Sequence, residues 1–170
     1  HRRENWGEKF KNIIKGIKKI IDAFPDVVFL IPMHSNPNLR NSLFETLGNN
    51  KQVLLTEPLD YCKLVSAMKK SFIVITDSGG LQEEAPTFGK PILVVRDKTE
   101  RQEAIEAGVA KLVGTDQENI YREASNLLKN KNKYEMMSKK INPFGDGKAS
   151  ERILKTCLEY FKNSNFEELE

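Results

Sequence analysis

A serine, two glycines and a glutamate in the middle of the chain have the types and spacing of a phosphate site. Residues 72–76 are β-branched or aromatic, which is typical of a strand, and residues 77–80, Asp-Ser-Gly-Gly, lead from them into a helical pattern. The first N–H groups of a helix have no partner within the helix, so they bind anions such as phosphate. Glu84 follows about one turn later, where its carboxylate can accept hydrogen bonds from ribose hydroxyls. This stretch predicts a site for a nucleoside diphosphate.

Other polar side chains follow the remaining predicted strands. Ligands of open parallel sheets bind outside the carboxyl ends of the strands, where these loops converge. The loops hold His34, Glu57, Ser78, Arg101 and, if a strand precedes residue 1, His1 with Arg2 or Arg3. Arginine side chains would donate bidentate hydrogen bonds to the phosphate oxygens of a nucleotide.

Each of these residues also has an interpretation without a ligand. Residues 77–80 are equally typical of a capped turn at a helix start. His34 lies between two prolines, where a histidine is more often an ordinary loop residue than a catalyst. Arg101 can form surface ion pairs with Glu100 or Glu103. The residues alone leave these alternatives open.

Alternating helices and strands would position these loops. Residues 10–24 carry apolar side chains at the spacing of an amphipathic helix, and residues 27–32 are a continuous apolar run, typical of a strand buried on both faces. Further strands are predicted at residues 52–56, 72–76, 92–95 and 110–113. Further helices are predicted at residues 38–47, 61–70, 102–107, 117–130, 131–140 and 148–163. Asn36, followed by Pro37, would cap the first of these and Asp60 the second. The alternation predicts an α/β fold with a parallel sheet covered by helices on both faces.

Length and composition are those of one ordinary globular domain. The chain has 170 residues, of which 39% are hydrophobic and 30% charged, and a domain of this length buries roughly 70% of its unfolded surface. A net charge of +3 is too small to indicate a nucleic-acid partner. No apolar run approaches the ~20 residues that a membrane span needs.

The two cysteines and the absence of several known motifs exclude some kinds of site. Cys62 and Cys157 have neither zinc-site nor redox-motif spacing, so we expect reduced thiols and a cytoplasmic location. The sequence contains neither the phosphate loop of nucleoside triphosphatases nor the glycine motif of dinucleotide-binding folds. Nothing marks a metal site or a cofactor.

Six motifs, in order along the chain, resemble those of the non-hydrolysing UDP-N-acetylglucosamine 2-epimerases. They lie at residues 1–7, 32–37, 57–61, 76–86, 96–101 and 142–147. The resemblance spans almost the whole chain but covers only the C-terminal half of such an enzyme. It implies a GT-B fold, in which two Rossmann-like domains bind UDP in their cleft. The chain, residues 1–170, would be one UDP-binding Rossmann-like three-layer α/β/α domain, without the N-terminal catalytic domain and the first strand.

The resemblance also implies a role for each site residue. The UDP contacts would be His1, Leu59, Leu64, Ser78, Gly79, Gly80, Glu84 and Arg101. Leu59 and Leu64 would lie beside the uracil, without ring stacking, because Leu64 stands where some relatives have an aromatic residue. His1 would lie near the diphosphate and assist its departure as a charged donor. Arg2 and His34 match positions that, in bacterial members, help to hold a second, activating UDP-N-acetylglucosamine.

The family interconverts UDP-N-acetylglucosamine and UDP-N-acetylmannosamine, which implies an isomerase for cell-surface polysaccharide biosynthesis. The reaction eliminates UDP, leaves a 2-acetamidoglucal, and adds UDP again after a proton returns to the opposite face of C2. The acidic residues credited with this proton transfer belong to the N-terminal domain, so this chain is expected to be inactive alone. The resemblance further implies a homodimer of the full-length protein and no cofactor or metal.

Two other functions stay open. One is the nucleotide-sugar-binding half of a GT-B glycosyltransferase. Residues 76–86 alone would not distinguish such a glycosyltransferase from an epimerase. Residues 1–7 and 142–147 favour the epimerase. The other is a stand-alone nucleotide-binding module, against which the abrupt start at His1 argues.

Overall fold

The computed structural model describes residues 1–163, as alternating strands and helices. The strands are β1 (Phe29–Pro32), β2 (Val53–Thr56), β3 (Val74–Thr76), β4 (Ile92–Val94) and β5 (Ala110–Leu112). The α-helices are α1 (Glu8–Ala23), α2 (Pro37–Leu47), α3 (Tyr61–Lys70), α4 (Gly79–Glu84), α5 (Gln102–Glu106), α6 (Gln117–Lys129), α7 (Lys131–Met137) and α8 (Ala149–Asn163). Short 3-10 helices lie at Arg3–Asn5 and Ala85–Phe88. The predicted order of elements is confirmed, with ends that differ by up to three residues.

The described strands are all parallel, and they form two sheets. β1 pairs with β2, and β3, β4 and β5 pair in that order. The predicted parallel α/β architecture is therefore confirmed, but the sheet is divided between β1 and β3. The predicted end of the domain at residue 170 lies outside the described residues.

Helices cover both faces of the larger sheet. In β4, Ile92, Leu93 and Val94 are completely buried, and successive side chains point to opposite faces. Leu93 packs with residues of α1, α2 and α6, whereas Ile92 and Val94 pack with residues of α3 and α5. The result is the three-layer arrangement expected from the sequence. None of the helices within residues 1–163 has the length and hydropathy to cross a bilayer.

Side-chain caps start two of the helices at the predicted residues. Asn36 accepts a 2.9 Å hydrogen bond from the amide of Asn38, and Pro37 takes the first position of α2. Asp60 accepts a 2.9 Å bond from the amide of Lys63 and so caps α3. These caps fix where the loops after β1 and β2 end.

A close contact between α1 and α6 depends on Gly16. A Cβ at this position would lie 3.1 Å from the Cβ of Ile120. The absence of a side chain therefore lets the two helix backbones approach, and this contact holds α1 over the sheet.

One prediction about β1 is wrong. The run that contains it was expected to be buried on both faces, but Val28 is 71% exposed and Leu30 is 40% exposed. Phe29 and Ile31 pack against the first core cluster as expected. Val28 and Leu30 instead line an apolar groove that also borders β3.

Candidate nucleotide site

The turn after β3 leaves its polar groups available to a ligand. Ser78 occupies the N-cap position of α4, but its side chain makes no capping hydrogen bond. Its amide donates to Thr76 Oγ1 at 3.0 Å. The first amides of α4, beginning with that of Gly79, have no acceptor within the helix. The Ser78 side chain therefore does not cap α4, and its hydroxyl and several N–H groups share one rim.

Two guanidinium groups lie beside Gly79. A Cβ at Gly79 would be 3.5 Å from Nη2 of Arg2 and 3.5 Å from Nη2 of Arg101. The same position would lie 3.5 Å from Oε1 of Glu100, and Nη2 of Arg2 is 3.8 Å from that oxygen. Gly79 is buried, so a side chain there would occupy the space between the two arginines. The N–H groups of the two guanidinium groups therefore converge on the turn, and such donors suit a diphosphate.

The ion pair of Arg101 differs from the alternative considered from the sequence. Its Nε donates to Oε1 of Glu83 on α4, whereas Glu100 and Glu103 were the expected partners. Arg101 keeps 31% of its side chain exposed in this pair. The pair directs the guanidinium toward α4 and hence toward Gly79.

Asp77 joins the first residues of the chain to this turn. Its Oδ2 accepts hydrogen bonds from the amino group of His1 at 2.6 Å, the amide of Arg2 at 2.8 Å and Nδ2 of Asn5 at 3.0 Å. Burial acts to raise the pKa of Asp77. The hydrogen bond and charge of the His1 amino group, with the bonds from Arg2 and Asn5, outweigh burial and hold this pKa below its usual value.

The structure brings the two predicted histidines together. The ring centroids of His1 and His34 are 5.9 Å apart, and the His1 ring also lies 5.6 Å from that of Phe10. Nδ1 of His34 accepts a 3.0 Å bond from the amide of Asn36, which leaves Nε2 as the donor of that ring. Nε1 of Trp6 donates to the carbonyl of His1 at 3.0 Å. His1 and His34 therefore belong to the same rim as Asp77.

Glu84 has a buried oxygen without a partner. Its Oε2 is enclosed and accepts no hydrogen bond among the described residues. Its Oε1 lies 4.0 Å from the position that a Cβ would take at Gly80. A buried acceptor without a donor costs about 1–3 kcal/mol, and a ligand hydroxyl would satisfy it. The predicted sugar-binding carboxylate thus lies beside the predicted phosphate turn.

Gln82 and Thr99 hold the loop of Arg101 against α4. Oγ1 of Thr99 donates to Oε1 of Gln82 at 2.6 Å and accepts from the amide of Arg101 at 3.1 Å. Nε2 of Gln82 donates to the carbonyl of Ser78 at 3.2 Å. Gln82 is completely buried and Thr99 is 6% exposed. The sequence analysis missed both residues, since a polar residue in an amphipathic helix gives no sign of a partner 17 positions away.

Arg96 was also missed, and it supports the other arginine of the site. Its Nε donates to Glu4 at 2.6 Å and its Nη1 donates to Glu100 at 2.7 Å. Arg96 is only 8% exposed. Burial acts to lower its pKa, but the bonds to Glu4 and Glu100 outweigh burial and raise it. Since Glu100 also faces Arg2, the pair Arg96–Glu100 contributes to the placement of Arg2.

The two leucines predicted beside the uracil are half-buried. Leu59 lies in the loop after β2, and Leu64 on α3 packs against the second core cluster and lines the apolar groove. Their place at a base stays a prediction. Cys62 and Cys157 are free and exposed. Residues 1–163 contain no group of three or more His, Cys, Asp or Glu side chains that could hold a metal ion.

The family model described as UDP-N-acetylglucosamine 2-epimerase matches residues 1–158. The chain belongs to this family. The UDP-N-acetylglucosamine 2-epimerase of Bacillus subtilis (strain 168) is 47% identical over 161 residues, which are 95% of this chain and 42% of that protein. The UDP-N-acetylglucosamine 2-epimerase of Campylobacter jejuni is 47% identical over 165 residues, which are 97% of this chain and 43% of that protein.

Solved epimerase structures share the fold. The S. aureus MnaA–UDP co-structure superimposes with a TM-score of 0.91 at 44% identity, over 95% of this chain and 44% of that one. The structure of the Neisseria meningitidis UDP-GlcNAc 2-epimerase bound to UDP-GlcNAc superimposes with a TM-score of 0.90 at 46% identity. The match covers 94% of this chain and 43% of that one. The predicted family and fold are confirmed. The chain spans less than half the length of these epimerases.

Proposed function

We propose that this chain is the UDP-binding half of a non-hydrolysing UDP-N-acetylglucosamine 2-epimerase. The observation that carries the proposal is the convergence of Arg2 and Arg101 on the uncapped turn at Gly79. The related S. aureus and N. meningitidis structures are described as bound to UDP and to UDP-GlcNAc, which supports the same ligand class here.

In this proposal the diphosphate, the ribose and the uracil of UDP each contact different residues. The hydroxyl of Ser78 and the amides of Gly79 and Gly80 bind the diphosphate, together with Arg101. The unpartnered Oε2 of Glu84 accepts a hydrogen bond from the ribose. The uracil packs against Leu59 and Leu64.

The reaction is an elimination followed by an addition. A base in a partner domain removes the proton from C2 of the sugar, the C1–O bond breaks, and its electron pair stays on the diphosphate of UDP as C1 and C2 form a double bond. His1, Arg101 and the amides of the turn stabilise the charge that develops on UDP. A proton then returns to the opposite face of C2 and the UDP oxygen adds again to C1. This half keeps UDP in place between the two steps.

Arg2 and His34 form the proposed site of an activating second UDP-N-acetylglucosamine. Arg2 flanks Gly79 and the ring of His34 lies 5.9 Å from that of His1. Such a site would therefore be contiguous with the diphosphate site. A ligand bound there would act directly on the residues that hold UDP.

A partner domain is part of the proposal. Ile153, Leu154 and Leu158 of α8 are 64%, 60% and 51% exposed, and an apolar helix face of this kind is typical of a docking surface. The proton-transfer residues would lie in that domain, so the 170-residue chain alone is inactive. We further propose a homodimer for the full-length protein and, from its two free cysteines, a reducing compartment such as the cytoplasm.

Calorimetric titration with UDP tests the proposed site. Glu84→Gln and Arg101→Ala should each weaken UDP binding at least tenfold, which corresponds to about 1.4 kcal/mol. Glu103→Gln and Arg152→Ala are matched controls, because Glu103 is exposed and Arg152 is paired with Asp146 on the surface. Unchanged binding in both site variants would refute the assignment of the site.

Solvent-proton exchange at C2 of UDP-N-acetylglucosamine tests the proposed reaction. The chain alone should give no exchange, and the full-length protein should give exchange together with UDP-N-acetylmannosamine. Exchange by the chain alone would place the proton-transfer groups in this half. Full-length protein that binds UDP but gives no exchange would favour a glycosyltransferase.

A further inference from the structure

We propose that Glu100 is a specificity-determining residue, which makes the site accept uridine nucleotides with two phosphate groups and disfavour those with three. The inference rests on the proposed UDP site and adds a selection among the nucleotides that could enter it. It starts from the position of one carboxylate in a rim that otherwise suits an anion. UDP binding alone gives no reason for a negative charge at this place.

The carboxylate of Glu100 lies at the phosphate turn itself. Its Oε1 is 3.5 Å from the position that a Cβ would take at Gly79, as close as Nη2 of Arg2 and Nη2 of Arg101. The Glu100 side chain is 45% exposed, so a ligand can approach it. Because an N–H···O bond is about 2.9 Å long, a phosphate bound to the first amides of α4 would lie within roughly 9 Å of this carboxylate.

Buried Arg96 holds the carboxylate of Glu100 in this place. Nη1 of Arg96 donates to Oε2 of Glu100 at 2.7 Å, and its Nε donates to Glu4 at 2.6 Å. Arg96 is 8% exposed. Because one oxygen of Glu100 is bound to a buried group, its other oxygen stays beside Gly79 when an anion approaches.

Glu100 is ionised at neutral pH. A hydrogen bond from its own amide acts first to lower its pKa, and the bond from Arg96 and the charges of Arg96 and Arg2 act in the same direction. Together they outweigh burial and hold the pKa of Glu100 below its usual value. The carboxylate therefore repels any negative charge that a ligand brings to the turn.

The arginines described at this rim are balanced by glutamates. The ion pairs join Arg96 to Glu4 and Glu100, Arg2 to Glu100, and Arg101 to Glu83. Three guanidinium groups and three carboxylates have no net charge. Their N–H groups can still bind phosphate oxygens, but little positive charge remains to offset a further phosphate.

This balance separates nucleotides by their charge. UDP and UDP-sugars have two phosphate groups, and the third phosphate of UTP adds about one negative charge at neutral pH. Two unit charges about 7 Å apart repel each other enough to change an affinity about three- to tenfold, for effective dielectric constants of about 80 to 40. A fixed like charge is an effective way to disfavour a competing ligand. Glu100 thus acts against UTP more than against UDP.

Calorimetric titrations of the 170-residue chain with UDP and with UTP, in the absence of divalent cations, test the proposal. The unchanged chain should bind UTP no more tightly than UDP. Glu100→Gln keeps an oxygen that can accept from Arg96 but removes the charge, so it should raise the affinity for UTP relative to UDP about three- to tenfold. Glu103→Gln removes the same charge from an exposed position on α5 and should leave this ratio unchanged.

Glu100→Ala is the second test variant, because it has no amide that could itself bind a phosphate. It should raise the ratio as Glu100→Gln does, and it serves in place of that variant if the glutamine chain does not fold. UDP binding with an unchanged ratio in the Glu100 variants would overturn this inference and leave the proposed UDP site standing. An equal rise in Glu103→Gln would also overturn it, since the position of Glu100 would then not matter. Failure of the 170-residue chain to bind either nucleotide would refute the proposed site and this inference together.

Discussion

Nδ2 of Asn5 donates a 3.0 Å hydrogen bond to Oδ2 of Asp77. The same nitrogen donates a second 3.0 Å bond to the carbonyl of Val95, just beyond β4. One buried amide, 2% exposed, therefore joins the turn before α1 to the ends of two neighbouring strands. Since Asp77 also binds the backbone of His1 and Arg2, Asn5 acts as a positioning residue for the proposed diphosphate site.

Removing the Asn5 amide should reduce both stability and nucleotide binding. Asn5→Ala leaves the buried carbonyl of Val95 without its donor, which costs about 1–3 kcal/mol. The free energy of unfolding in urea measures this loss. Asn41→Ala, on the exposed face of α2, is the matched control and should change little. Equal stability of the two variants would contradict the role of Asn5.

Asp77 should make stability depend on pH at the acid end. In the 170-residue chain, where it binds the amino group of His1, its folded-state pKa lies below the ordinary value of 3.8, so the stabilisation is fully present above that value. It is lost as the pH falls through the lowered pKa, because protonation removes the anionic acceptor. Unfolding in urea from about pH 7 to about pH 2 should show this loss. Asp77→Asn should be less stable at neutral pH and should show a flatter acid limb, whereas exposed Asp26→Asn should follow the original profile.

Thr99→Val should weaken UDP binding, although residue 99 does not itself contact the ligand in the proposed site. The variant keeps the shape of the side chain but leaves buried Oε1 of Gln82 without a donor and frees the amide of Arg101. We expect a loss of about 1–3 kcal/mol in stability and weaker UDP binding in calorimetry. Thr115→Val is the control, in a half-buried turn before α6. If Thr99→Val bound UDP as tightly as the control does, the loop would not depend on this bond.

The sequence predicted those features that depend on local patterns. The helical spacing of apolar residues located α1, and the caps Asn36 and Asp60 located α2 and α3. The turn between β3 and α4 was also predicted from short-range order, whereas the roles of Ser78 and Glu84 at a ligand stay predictions. These features are local because hydrophobic periodicity and capping act within a few residues.

The contacts that hold the site together could not be predicted in this way. Asn5 and Val95 are 90 positions apart, and Arg101 pairs with Glu83 rather than with a nearby glutamate. Such pairs depend on which strands and helices pack against each other. The type of a single residue does not indicate that packing. The exposure of Leu30 also escaped the sequence analysis, because it depends on which strands are neighbours across the groove.

The most direct test of the account is a ¹⁵N chemical-shift titration of the 170-residue chain with UDP, with uridine as the control ligand. The account predicts that the amides of Ser78, Gly79 and Gly80 shift most with UDP and hardly at all with uridine, because the diphosphate binds at this turn. Maximal UDP shifts elsewhere, or equal shifts at the turn with uridine, would contradict it.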